Sequence, residues 1–167
     1  MKKPIKYFLN LLLVFFCFNC YCQQKEYTSL EEALKNKDSV TCLNLKKQKI
    51  HHFPMEIMQL KNLEKLSLSR NYLDTIPKEI ACLKHLHYID FSSNFIESLP
   101  CEMSLLPIDT LILWDNQIRY FDSCFAYLPL KYLDLRAILM TRKEQKAIIN
   151  LFPNARIRKD HPCNCGR

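Results

Sequence analysis

Three groups of residues carry side chains that could do chemistry. His51 with His52 and His85 with His87 offer paired imidazoles, His161, Cys163 and Cys165 form a soft donor set in the closing "HPCNCGR", and Glu56, Glu79 and Glu102 recur as an acidic row. A zinc centre needs three or four ligands, and neither histidine pair has a carboxylate or a third imidazole at a confirming distance. The tail is the better metal or redox candidate. Its CxC is not a CxxC, however, and no second cysteine pair completes a zinc set, so its plainer reading is a disulfide or two idle thiols. Each glutamate follows a proline by two residues, where a carboxylate suits an emerging helical turn. No Ser, His and Asp arrangement is singled out by order alone. Gly166 is the only glycine among 167 residues, which excludes glycine-rich phosphate loops. The sequence therefore predicts no catalytic residue, no metal and no cofactor.

The elements that must position these residues begin after an atypical leader. "MKKPIKYFLNLLLVFFCFNCYC" opens with Lys2, Lys3 and Lys6 and runs apolar from Tyr7 to Phe18, broken only by Asn10. That is short for a membrane span and right for a secretory signal over residues 1–22, cleaved before Gln23. The alternatives are lipidation at Cys17, Cys20 or Cys22 and an uncleaved anchor; all three export the chain to a secreted, periplasmic or cell-surface location, and a membrane contact is expected only through such an N-terminal lipid or retained signal. Cleavage lowers the net charge from +7 to +4, since three lysines and no acids leave. So mild a balance does not predict a nucleic-acid partner. Six cysteines remain, and export makes disulfides chemically available to them without choosing a pairing.

Beyond the leader the chain repeats. Asn71, Asn94 and Asn116 are 23 and 22 residues apart, and Gln48 lies 23 before Asn71. Around these anchors the same pattern returns as "LNLKKQKIHHFPMEI", "LSLSRNYLDTIPKEI", "IDFSSNFIESLPCEM", "LILWDNQIRYFDSCF" and a decayed "LDLRAILM". With positions counted from Val40, Leu63, Leu86, Ile108 and Leu130, apolar residues recur at positions four, six, eleven and fourteen. The period of two at positions four and six predicts a strand with one buried face. No single copy can bury its apolar residues, so the copies must stack into a solenoid.

In these motifs the chain resembles the leucine-rich repeat family. "IPKEIACLKHLHYIDFSSNFIESLPCEM" is similar to the subclass with LPxEIxxLxxLxxLxLxxNxL found in plant intracellular, Ras-group and many bacterial repeat proteins. The likeness covers residues 40 to about 140. It implies an α/β solenoid of about five repeats, a horseshoe arc with a parallel sheet on its concave face. It also implies that Asn71, Asn94 and Asn116, with Gln48 as a longer imitation, form an internal ladder bonding adjacent turns. Ile138 cannot join that ladder, which predicts that the regular coil ends near it. Cys101 and Cys124 fall at nearly equivalent positions on adjacent convex turns and are the best disulfide candidates within the body.

Both ends of such a stack need covering. Over residues 23–39 the capping box Ser29/Glu32 predicts a helix burying Leu30, Ala33 and Leu34. Over 141–160 the box Thr141/Glu144 predicts a second helix burying Ala147, Ile148 and Leu151, stopped by Pro153 and followed by an edge strand at "ARIR"; residues 161–167 read as a tail.

Function then falls to the side chains between the core leucines. Positions three, five, seven, eight and ten collect Lys46, Lys47, Lys49, Lys65 and Arg70 in the first two repeats. In the later repeats they collect Asp90, Asp115 and Asp134 among Tyr88, Phe95, Ile112, Trp114 and Tyr132, and Tyr72 joins them. Exposed aromatics with arginine are enriched at binding hot spots. The expected partner-binding residues are Arg70, Tyr72, Tyr88, Asp90, Phe95, Trp114, Asp115, Tyr132 and Asp134. The expected activity is non-enzymatic recognition of a protein or peptide, with a glycan as the lesser option. A lipid-anchored structural or adhesin protein is the first alternative, and a thiol or metal enzyme built on the tail the second.

Overall fold

The structure is a computed structural model in which residues 25–162 are described. The leader 1–22 and the tail cysteines Cys163 and Cys165 lie outside the described residues. Seven strands form one parallel sheet in chain order: β1 (Glu26–Tyr27), β2 (Cys42–Asn44), β3 (Lys65–Ser67), β4 (Tyr88–Asp90), β5 (Thr110–Ile112), β6 (Tyr132–Leu135) and β7 (Arg156–Lys159). Between successive strands β2 to β6 the return path is a single 3₁₀ turn: Met55–Gln59, Lys78–Cys82, Cys101–Leu105 and Ser123–Tyr127. Prolines 54, 77 and 100 precede the first three of these turns, where their fixed φ and missing N–H carry no cost. The repeated Glu56, Glu79 and Glu102 sit in the first turn of each.

The register makes columns. Leu43, Leu66, Ile89, Leu111 and Leu133 align across the strands and are fully buried. Leu45, Leu68, Phe91, Leu113 and Leu135 follow them inward, and Ile57, Ile80, Met103 and Phe125 meet them from the 3₁₀ turns. Each such side chain contributes about 1.5 to 3 kcal/mol by leaving water. All belong to one continuous core.

What the apolar columns cannot supply is partners for the backbone where each coil leaves the sheet. Asn71 Nδ2 donates to the carbonyls of Leu45 and Leu68 at 3.0 and 2.8 Å, while its Oδ1 accepts from the backbone of Gln48 and Ile50. Asn94 bonds Leu68, Phe91 and Leu73 in the same way, and Asn116 bonds Phe91, Leu113 and Ile96. Gln48 differs. Its side chain is exposed, yet its amide donates to the Thr28 carbonyl of the preceding turn at 2.7 Å, the donor half of the asparagine pattern.

To point each asparagine inward, the preceding residue turns left-handed: Lys47, Arg70, Ser93, Asp115 and Ala137 all have φ between 52° and 60°. This conformation costs an L-residue about 1 to 2 kcal/mol. It persists because the amides of Lys47, Arg70, Ser93 and Asp115 thereby reach carbonyls of the next coil at 2.8 to 3.1 Å. Ala137 keeps the same backbone although Ile138 replaces the asparagine, and its amide bonds the Asp160 carboxylate instead of a further coil.

Helix α1 (Leu30–Lys35) buries Ala33 completely and packs Leu30 and Leu34 on the core. Ser29 accepts from Glu32 at its start, but Glu32 itself pairs with Lys25, so the reciprocal half of the box is missing. Helix α2 (Arg142–Leu151) has the complete Thr141/Glu144 box. It buries Ile148 and half-buries Leu151, whereas Ala147 faces solvent, contrary to expectation. Gln145 is buried in its place, bonding the Asp160 carbonyl and Lys159 and tying α2 to the end of β7. Cys101 and Cys124 are disulfide-bonded across adjacent turns, with Cα atoms 5.8 Å apart.

Asn94→Ala strips four backbone partners at once, the Leu73 amide and the Leu68, Phe91 and Ser92 carbonyls, and should lower unfolding free energy by about 3 kcal/mol, while exposed Gln48→Ala should cost under about 1 kcal/mol. Urea denaturation of both variants distinguishes a buried ladder from an ornamental repeat. In the same assay Ala137→Gly should stabilise by about 0.5 to 1 kcal/mol, because glycine meets a left-handed backbone without strain.

Candidate functional site

With positions four and six committed to the core, positions three and five face the other way. Strand register aligns position three as Glu26, Cys42, Lys65, Tyr88, Thr110, Tyr132 and Arg156. Position five aligns as Asn44, Ser67, Asp90, Ile112, Asp134 and Arg158. Glu26, Arg156 and Arg158 were missed by sequence reasoning, because they lie outside the repeat. The signal for the last two was present in "ARIR": Ile157 packs on the core, so its neighbours on β7 must face outward.

Around Tyr88 this face forms an open groove of about 500 Å³ lined by Glu26, Cys42, Asn44, Lys46, Lys65, Ser67 and Asp90. Tyr88 is half-buried, and burial with the neighbouring Asp90 pushes its phenol above the ordinary value. It stays neutral and presents an apolar ring with a hydrogen-bonding tip. Burial likewise raises the Cys42 thiol, assisted by Glu26 and opposed by Lys65. A thiol held in its protonated form is a poor nucleophile.

The acids of this face are occupied in turning the chain. Asp90 accepts from the Ser92 amide at 3.0 Å and the Ser92 hydroxyl at 2.6 Å, with Ser67 Oγ at 3.4 Å. Asp134 is 2% exposed, which corrects its assignment as a partner-facing acid. The Arg136 guanidinium lies over it at 2.7 Å, the Arg136 amide donates to it, and Tyr132 Oη reaches it at 3.3 Å. Burial works against its ionised form, but the hydrogen bonds from Arg136 outweigh it and hold the carboxyl below its ordinary range. Asn44 plays the same part at the other end, accepting from the Lys46 amide. The bases have no such occupation: Lys46, Lys47, Lys49, Lys65 and Arg70 make no ion pair among the described residues.

The aromatic residues divide. Tyr88, Trp114 and Tyr132 are half-buried rather than fully exposed. Trp114 stands just past the strand in the recessed column where Ser69 and Ser92 are buried, so part of its indole is sheltered. Tyr72 and Phe95, 44% and 49% exposed, lie beyond the ladder and do not line the groove around Tyr88. There Tyr72 stacks between His51 at 4.8 Å and Phe95 at 6.3 Å. Arg70 and Asp115 are exposed at the left-handed position. His87 approaches Asp109 at 3.8 Å, and no group of three metal-ligating side chains exists among the described residues.

The fold is that of a leucine-rich repeat solenoid, and residues 38–99 match the leucine rich repeat family model. Solved structures of the same architecture include internalin C2 of Listeria monocytogenes str. 4b F2365 (23% identity, TM-score 0.63), matched over 80% of this chain and 57% of that one. The TLR13–ssRNA13 complex is matched at 26% identity and TM-score 0.61, over 84% of this chain and 21% of that one. A leucine-rich repeat protein of Leptospira interrogans is matched at 24% identity and TM-score 0.47, over 84% of this chain and 49% of that one. The chain thus spans less than two thirds of each of these proteins. No curated protein matches the sequence. Taken together, the family match and the architecture support a leucine-rich repeat protein, a class whose fold suggests an interaction module.

A depressed carboxyl stabilises the fold fully above its unfolded value of about 3.9, and that contribution disappears as pH falls through the lower folded value. Asp134→Asn should therefore flatten the acid limb of melting temperature against pH below about pH 4. Parallel acid limbs for the variant and the parent would show that the Asp134–Arg136 pair does not couple to folding.

Proposed function

We propose that this chain is an exported, non-enzymatic binding module that recognises a protein or peptide through the outward, concave face of its sheet. The observation that carries the reading is the row Tyr88, Ile112, Trp114 and Tyr132, half-buried side chains that stand outside the continuous core. Apolar surface held in fixed positions by a rigid sheet, beside unpaired bases, is the composition of a recognition face. Arg70 and Asp115 flank it. Tyr72 and Phe95 belong to the separate stacked row with His51, and Asp90 and Asp134 support the face from beneath.

Export rests on the basic, then apolar leader 1–22 and on the Cys101–Cys124 disulfide, a bond that persists in oxidising compartments. A glycan would use the same aromatic rings. An RNA ligand, as in the TLR13 complex, is disfavoured because Asp90 and Asp115 interrupt any continuous cationic track. The lipid-anchored alternative shares the solenoid and differs at the N-terminus, where an acylated cysteine adds mass that cleavage before Gln23 does not.

Trp114→Ala should abolish capture of the partner from a native extract, while Tyr127→Ala, on an 85% exposed residue of a 3₁₀ turn, should capture normally. Circular dichroism confirms that both remain folded. Equal capture by the two variants would remove the sheet face as the site.

A further inference from the structure

The outward face carries bases toward both of its ends, with Glu26 beside Lys46 and Lys65 at the first, its carboxylate accepting from the Asn44 side-chain amide at 3.0 Å. Lys46 and Lys65 line the groove at one side, and β7 brings Arg156 and Arg158 to the other, in line with Tyr132 and Asp134. Arg158 pairs in register with Asp134 across β6 and β7, which puts it at position five of this face, and its charge adds to that of Arg136 in holding the Asp134 carboxyl low. Arg156 and Arg158 are exposed and, like Lys46 and Lys65, form no ion pair among the described residues. Between these ends stand Tyr88, Ile112 and Tyr132, with Asp90 committed to Ser92. Like charges gathered without internal partners cost stability, and an anionic ligand removes that cost.

From β3 to β7 there are four strand spacings, about 19 Å in all. An extended chain covers that distance in about six residues. We propose that the face takes an extended peptide lying across the strands, with acidic residues about six positions apart and apolar side chains between them. The proposal rests on the recognition reading above and deepens it. A uniformly charged polyanion fits less well, because its central charges would meet tyrosine, isoleucine and a carboxylate instead of cations.

The test uses a fluorescein-labelled peptide of two glutamates, four alternating leucines and phenylalanines, and two more glutamates, titrated into the purified protein by anisotropy. Two further peptides carry glutamine in place of one glutamate pair or the other. Lys46→Glu with Lys65→Glu should weaken binding of the parent peptide by at least about tenfold, as should Arg156→Glu with Arg158→Glu. Each charge reversal should lose its effect against one glutamine peptide and keep it against the other. Three results overturn the inference: no binding of the parent peptide, equal sensitivity of both reversals to both glutamine peptides, or tighter binding of a heparin fragment than of the parent peptide. If Trp114-dependent partner capture survives any of these, only the two-ended acidic ligand is lost. If capture fails too, the recognition face falls with it.

Discussion

Everything in this molecule depends on what happens to the backbone just after each strand. There the chain turns out of the sheet above a dry core, and its amides and carbonyls have no strand left to pair with. A buried unpaired group costs about 1 to 3 kcal/mol, and the turn exposes several per coil. Asn71, Asn94 and Asn116 resolve this by accepting from one coil and donating to two carbonyls, one of them in the coil before. The left-handed residue before each asparagine is the conformational consequence. In a chain with a single glycine, that strain is borne by lysine, arginine, serine, aspartate and alanine.

The same constraint sorts the polar residues of the outward face. Position five lies where the strand ends, and a short acid or amide there can accept the amide two residues on; Asn44, Asp90 and Asp134 all do so. Of the two carboxylates, Asp134 is paired with the Arg136 guanidinium, whereas Asp90 accepts from uncharged donors, the Ser92 amide and hydroxyl and the Ser67 hydroxyl. Arg136 is held by Asp134, but Lys46, Lys65, Arg156 and Arg158 form no ion pair among the described residues. The outward face therefore carries unpaired bases at Lys46, Lys65, Arg156 and Arg158 beside the half-buried rings of Tyr88, Trp114 and Tyr132.

Much of the fold was legible because stacking forces a linear sequence to repeat. The buried columns, the asparagine anchors and the Thr141/Glu144 box all follow from periodicity or local capping chemistry. The site was less so. A column of left-handed residues leaves no mark when glycine is not used for it, and β1 is too short, at Glu26–Tyr27, to show an alternation. Burial of Asp134 depends on Arg136 folding back over it, and partial shelter of Trp114 depends on a recessed column, neither of which a list of alternating positions contains. Arg156 and Arg158 entered the site only when register aligned β7 with β6.

The central claim is that recognition uses the outward face of the sheet, and hydroxyl-radical footprinting of the protein with its captured partner tests it most directly. The account predicts that Tyr88, Trp114 and Tyr132 lose reactivity on complex formation while Leu105 and Tyr127 on the 3₁₀ turns keep theirs. Protection of Leu105 and Tyr127 with Tyr88, Trp114 and Tyr132 unchanged would contradict it.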